Sequence, residues 1–283
     1  MRIDLHSHST VSDGTLTPAA LVAHARAQNL DVLALTDHDV VDGIQAAQQA
    51  AGSALYIVPG VEISVSWRGQ TVHIVGLHVD PEHPGLLQGL AGLREFRVWR
   101  AQEIARRLAK KGVPGALEGA QAWASGSLIG RTHFARFLVE HGYCESLREV
   151  FKRYLVRGKP GYVPGQWASL EDAVGWIRDA GGVAVIAHPA RYRLTATRLR
   201  ALIADFQACG GEGLEVVSGS HSRDEVLAMA EHSRRHGLLA SCGSDYHGPE
   251  NPWVELGRLA ALPEDLVPVW HSPNWRGPVE AAV

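Results

Sequence analysis

The residues of this chain best equipped for chemistry are imidazoles and carboxylates placed where apolar runs end. His6 and His8 follow Arg2-Ile3-Asp4-Leu5. Period-2 geometry sets both on one face of an extended segment, close enough to hold one ion. The polar turn after them ends in Ser12-Asp13-Gly14. The same event recurs down the chain. His38 follows the run Asp31–Leu35, Glu62 sits in apolar company after Leu55–Val61, and His73 lies in the run Thr71–Val79. His188 ends the run from Val183, and Asp245 and His247 end the run from Leu238. Carboxylate oxygens and neutral imidazoles without thiolates suit Zn²⁺, Mn²⁺ or Fe²⁺ rather than a cysteine-type structural zinc. These nine residues exceed what one ion needs and are enough for two or three if a carboxylate bridges. Metals about 3.5–4 Å apart create a hydroxide and clamp phosphoryl oxygens during displacement.

Positioning so many groups together requires elements that all end in one place. Between the apolar runs lie helical stretches. Thr17-Pro18 reads as an N-cap with proline at the first helical position, opening a helix to Ala27, and a second helix runs from Asp42-Gly43 to Ala51. Ser169-Leu170-Glu171-Asp172 and Ser222-Arg223-Asp224-Glu225 read as capping boxes for helices reaching Ala180 and Arg235, with another helix from Thr195 to Cys209. That makes seven strand candidates, most of them separated by helices, and in such α/β folds the site sits at the carboxyl ends of the strands. The rhythm is interrupted from about Glu82 to Gly165, where helical patterns replace buried strands: Leu86–Lys111, Ala116–Ala124, Thr132–His141 and Ser146–Val156. The expectation is an α/β barrel formed by residues 1–80 and 166–283, with a mainly helical insertion, residues 81–165, acting as a substrate lid.

Bulk properties narrow the partners. A chain of 283 residues with 46% hydrophobic and 20% charged residues buries a substantial core. A net charge of -3 disfavours a broad basic surface for long nucleic acid, while leaving room for a small anion held by a few focused cations. Three cysteines without metal spacing (Cys144, Cys209, Cys242) read as reduced thiols of a cytoplasmic protein. No signal peptide opens the sequence, and no apolar run approaches the roughly 20 residues that span a bilayer.

His6-x-His8, Thr36-Asp37-His38, Glu62, His73, Ala187-His188-Pro189 and Asp245-x-His247 resemble, in order, the motifs of the polymerase and histidinol phosphatase (PHP) family. The likeness covers nearly the whole chain. Within the family the sequence is similar to bacterial stand-alone members that act as 3′,5′-nucleotide bisphosphate phosphatases, relatives of 5′-to-3′ exonucleases of short RNA. The segments Gly130-Arg131-Thr132-His133 and Gly158-Lys159-Pro160 share that likeness. The resemblance implies a distorted (β/α)₇ TIM-like barrel carrying two or three divalent ions, manganese first, with zinc or iron as alternatives. It implies one ion on His6, His8, Glu62 and Asp245, and a second on Glu62, His73 and His188. The third would sit on Asp13, His38 and His247. Asp13 departs from the histidinol phosphatase branch, where a histidine commonly stands, which argues against histidinol phosphate as substrate.

The implied reaction is removal of the 3′-phosphate from a 3′,5′-bisphosphonucleoside, such as the adenosine form, by metal-hydroxide attack. Exonucleolytic trimming of short 5′-phosphorylated RNA and a non-catalytic metal-binding module are the competing readings. Phosphate recognition is expected from Arg131 at a helix start, from Lys159 in a Gly/Pro-bounded loop and from Arg191 after the His188-Pro189 strand end. His221, with His133 second, is the expected general acid for the leaving oxygen. Whether Asp37 or Asp39 does more than orient His38 is left open by the residues alone.

Overall fold

The computed structural model describes residues 1–124 and 128–278. Seven strands follow one another around a single sheet in chain order: β1 Ile3–Asp4, β2 Val32–Leu35, β3 Tyr56–Trp67, β4 Gln70–Leu77, β5 Val183–Ile186, β6 Gly213–Ser218 and β7 Leu239–Gly243. Parallel bonding between the first and last strands rolls the sheet into a barrel. Leu5 N–H donates to Cys242 O at 3.0 Å, and beyond the strands Asp245 N–H donates to His6 O and His8 N–H to Tyr246 O, both at 2.9 Å. The strands β2, β5, β6 and β7 are almost wholly buried, as expected of short parallel strands covered by helices.

The regular alternation is distorted at one place. β3 turns directly into β4 through Arg68 and Gly69, both at positive φ, so β4 runs antiparallel to β3 and to β5. A two-residue turn with φ > 0 at both positions is the hairpin geometry that matches strand twist. The consequence for the site is direct. His73 lies early in its strand, and only an antiparallel β4 delivers an early residue to the rim where the other strands end.

The helices are α1 Pro18–Ala27, α2 Ile44–Ala51, α3 Pro84–Ala109, α4 Ala116–Trp123, α5 Arg131–Glu140, α6 Leu147–Val150, α7 Leu170–Asp179, α8 Ala196–Ala208 and α9 Arg223–His236. Thr17 caps α1 by accepting from Ala20 N–H, and Ser222 with Glu225 forms a reciprocal capping box on α9. At α7 only half of the expected box forms. Ser169 accepts from Asp172 N–H, but the Asp172 carboxylate takes the Ser169 hydroxyl, one methylene being too few to reach the cap backbone. The expected helix Ser146–Val156 resolves into α6 and a π-turn, Phe151–Leu155.

Residues 101–163 enclose a core of their own, built from Ile104, Leu108, Phe134, Leu138, Val150 and Leu155 among others. α3 joins this core to the barrel, burying Leu86, Leu90 and Leu93 in the barrel's core through its first half and Ala101, Ile104 and Leu108 in the second core. No helix among the described residues is long and apolar enough to cross a membrane.

Candidate metal centre

β1 gives way to His6-Ser7-His8, whose alternation is visible in the side chains. Ser7 turns away to donate to Ala34 O at 2.6 Å, while the two imidazoles face the barrel axis with ring centroids 5.2 Å apart. Glu62, fully buried on β3, is the hub. One of its oxygens lies 2.8 Å from His73 Nδ1 and 2.9 Å from His188 Nε2. The other lies 3.0 Å from His38 Nδ1, 3.2 Å from His8 Nε2 and 3.3 Å from His6 Nε2. Asp245 Oδ1 stands 3.4 Å from His6 Nε2, 3.2 Å from His8 Nε2 and 3.6 Å from His247 Nδ1. Asp13 Oδ1 is 3.3 Å from His247 Nε2 and 4.0 Å from His38 Nε2.

All nine expected residues are thus brought to one rim. Their donor atoms fall into three overlapping sets within 4.8 Å: His6, His8, Glu62 and Asp245; His8, Asp13, His38 and His247; and His38, Glu62 and His73. His188 stands just outside the third set but shares with His73 the same Glu62 oxygen. Backbone strain accompanies the convergence, with His188 and Asp245 at positive φ.

The donors fit divalent ions for a reason visible in their hydrogen bonding. His6 Nε2, His8 Nε2, Asp13 Oδ1, His38 Nδ1 and Glu62 Oε2 are buried at the centre without a hydrogen-bond partner. Buried polar atoms are ordinarily paired, and a set of orphaned lone pairs pointing at one another is what a cation resolves. Charge balance agrees. Burial works against ionisation of Glu62, Asp13 and Asp245, yet the surrounding imidazoles hold all three carboxyls well below their ordinary values. Burial likewise opposes charge on His8, yet the Asp245 and Glu62 carboxylates beside it raise it to about 10, and His6 and His247 are raised by the same competition. For His38 and His188 burial prevails and lowers them. A divalent ion would displace the protons that otherwise balance these carboxylates.

A further ring of carboxylates holds these groups in place. Asp37 accepts from Ser9 N–H, Ser9 Oγ and Ser12 Oγ at 2.8, 2.7 and 2.5 Å, fixing the turn that carries Asp13. Asp39 accepts from Ser64 N–H at 2.7 Å and pairs with Arg97 at 2.6 Å. Neither acid orients His38. Asp4 accepts from Ser244, Gly257 and His6 N–H groups, and Glu215 on β6 contacts His6 Nδ1 at 3.2 Å. Glu215 carries the same sequence signal that marked Glu62, a lone acid inside a buried strand.

Above the centre lies a cleft of about 330 Å³. Its roof includes Arg97, Arg100 and Arg131 from the insertion, with Trp167 and Tyr192 beside them, and Arg191 stands at its edge. Arg131 begins α5, packs over the Phe151 ring and has no carboxylate or hydrogen-bond partner among the described residues. Arg191 is ion-paired with Asp245 Oδ2, so one of its nitrogens serves the centre and not a ligand. Lys159 is exposed in the turn after Val156 and does not line the cleft. Arg97 and Arg100, spaced i, i+3 on α3, stand where that lysine was expected. His221 binds Val216 O through Nδ1 at 3.1 Å and does not line the cleft. His133 is spent on capping α5, accepting from Gly130 N–H at 3.0 Å, and burial pushes it down to about 4. His133 is withdrawn by a helix-start hydrogen bond and His221 by its place outside the cleft, neither of which the sequence spacing revealed. α5 also reaches the centre directly, since Thr132 Oγ1 donates to Asp13 Oδ2 at 3.1 Å.

A parallel-rich barrel with a polynuclear donor set at its strand ends, roofed by guanidiniums, is the arrangement of a divalent-metal enzyme for anionic esters. The PHP domain model matches residues 4–156, and the chain belongs to the PHP family. It is 51% identical over 272 residues to the 3′,5′-nucleoside bisphosphate phosphatase of Chromobacterium violaceum, covering 95% of each chain. It is 49% identical over 278 residues to the 5′-3′ exoribonuclease Rnm of Escherichia coli, covering 97% of this chain and 94% of the relative. A solved structure of an amidohydrolase from C. violaceum, with bound sulfate and no metal, superposes with a TM-score of 0.92 at 50% identity, covering 95% of both chains.

Proposed function

We propose that the protein removes the 3′-phosphate from 3′,5′-bisphosphonucleosides, for example converting adenosine 3′,5′-bisphosphate to AMP. The observation that carries this reading is one cleft with two anion sites: a carboxylate–imidazole floor suited to divalent ions and a guanidinium roof opposite it. Two or three ions would be held by His6, His8, Glu62 and Asp245, by Glu62, His73 and His188, and by Asp13, His38 and His247, with manganese the first choice. When bound, they would supply Lewis acidity and a lowered water pKa. The residues of the chain do the rest. Arg131, with Arg100 beside it, holds the 5′-phosphate, and Arg191 keeps Asp245 turned toward the centre. The helical insertion covers the cleft as a lid, tied to Asp13 by Thr132, and separates the bound ester from bulk solvent. The leaving 3′-oxygen takes its proton from water in the cleft. Three unpaired cysteines fit a reducing cytoplasm.

The test is phosphate release from a panel of nucleotide bisphosphates and monophosphates by Mn²⁺-loaded protein, beside an Asp245→Asn variant. Activity that survives this substitution would remove the assignment.

A second reading, exonucleolytic trimming of short 5′-phosphorylated RNA, is favoured by an aromatic run leaving the cleft. Trp167 meets Phe96 edge-on at 4.8 Å, and Phe96 stacks with the exposed Trp99 at 5.5 Å. Successive bases stack on such surfaces. A ladder assay on a labelled hexamer separates the two activities.

A further inference from the structure

Six of the seven barrel strands, or the residues immediately after them, deliver a side chain to the metal centre: His6 and His8 after β1, His38 after β2, Glu62 on β3, His73 on β4, His188 after β5, and Asp245 and His247 after β7. β6 delivers none. What β6 carries instead, one layer deeper in the barrel, is the carboxylate of Glu215, only 2% exposed. Its Oε1 lies 3.2 Å from His6 Nδ1, and its Oε2 accepts the backbone N–H of His188.

Two backbone features exist around this carboxylate. The pairing of β6 with β7 slips by one residue between Glu215 and Val217, a bulge of the kind that re-aims a side chain. Beyond the slip, on β7 and paired with Ser218, stands Gly243. A Cβ there would lie 2.3 Å from His6 Cβ and 2.8 Å from Glu215 Oε1, so any larger residue would part the pair. A strand irregularity and an obligatory glycine thus both make room for one contact.

From this geometry we infer that Glu215 is a positioning residue for the metal centre, resting on the reading of that centre given above. By accepting from Nδ1–H of His6 it selects the tautomer whose Nε2 lone pair faces Glu62 and Asp245, 3.3 and 3.4 Å away. Through its other oxygen it fixes the strained backbone of His188, which stands at φ 27°. One buried carboxylate therefore aligns the two imidazoles that face the two oxygens of Glu62. Carboxylates that bind the distal nitrogen of a metal-ligating histidine typically tune metal affinity by 10–100-fold.

Glutamine is the informative substitution, because both partners of Glu215 are donors. The amide oxygen can accept from only one of them, and its NH₂ faces the other. Glu215→Gln should weaken binding of Mn²⁺ or Co²⁺ about 10–100-fold in chelator competition. It should also shift the visible absorption of the Co²⁺-loaded protein, while the thermal midpoint measured in chelator stays close to wild type. Glu215→Ala, which introduces no new donor, serves if the glutamine variant does not fold. A lowered thermal midpoint with metal affinity unchanged would show a merely structural acid and overturn the inference. Wild-type protein that takes up no divalent metal would overturn both the inference and the functional reading. Wild-type uptake with unchanged variant affinity would overturn the role of Glu215 alone.

Discussion

Replacing Arg131 by methionine tests the division of the cleft into two anion sites. Arg131 is a cation with no close ion pair among the described residues. It makes no hydrogen bond among the described residues, and burial lowers its pKa, with Arg97 and Arg191 adding to that effect and Tyr162 and Asp13 opposing it. The folded protein therefore carries a partly desolvated guanidinium facing the cleft, where an incoming anion would pair with it. A hydrogen bond from a charged donor contributes about 1.5–3 kcal/mol. Losing it should lower kcat/KM for adenosine 3′,5′-bisphosphate roughly 10- to 150-fold, at 1.36 kcal/mol per tenfold. Adenosine 3′-monophosphate, which lacks the second phosphate, should be hydrolysed by the variant within about two-fold of wild type. Methionine keeps the contact with Phe151, 5.6 Å from the guanidinium carbon, and removes the desolvated charge, so the thermal midpoint should hold or rise. Steady-state kinetics on the two substrates, with a melting curve for each protein, decide the matter. Equal losses on both substrates would refute the reasoning, because Arg131 would then act on the reacting phosphate or on the fold.

Three other outcomes are expected. Burial raises Asp4 from 3.8 to about 6, against the pull of its backbone N–H donors, so the native state holds a proton that the unfolded chain releases. This group's contribution to stability therefore falls as pH rises through that window, by about 3 kcal/mol in all. Between pH 4 and pH 7 wild type should lose about that much more than Asp4→Asn in urea unfolding with chelator present, and parallel profiles would count against it. Arg97→Met should destabilise by about 3–5 kcal/mol, because it leaves the fully buried Asp39 carboxylate with Ser64 N–H alone. Arg97→Met combined with Asp39→Asn should recover much of that loss, as read from denaturant midpoints. Divalent metal at about 100 times its Kd should stabilise by about 2.7 kcal/mol per site, so chelation should lower the thermal midpoint and abolish turnover together.

Much of this centre was legible in the sequence because barrel strands end at one rim, and residues at strand ends have one place to go. Spacing alone put His6 and His8 on one face, and apolar runs closing in His or Asp marked His38, His188, Asp245 and His247. Helix starts at Thr17 and Ser222 were readable because caps act within four residues. What the sequence could not settle depended on contacts between distant segments. His73 reaches the rim only because β4 runs antiparallel, a matter of hairpin geometry rather than residue type. The roles of Asp37 and Asp39 were undecided until Ser9, Ser12 and Arg97 came within reach of them. His133 and His221 had the right chemistry, but the bond to Gly130 engages the one, and the fold leaves the other outside the cleft. No sequence signal singled out Arg97 and Arg100, which became the cleft's roof because α3 leaves the barrel and carries them over it. The identities of the candidate metal-ligating side chains were thus legible in the sequence. Which groups orient them, and which cations face them, was decided only by packing, since those pairings cross from 25 to more than 200 residues of chain.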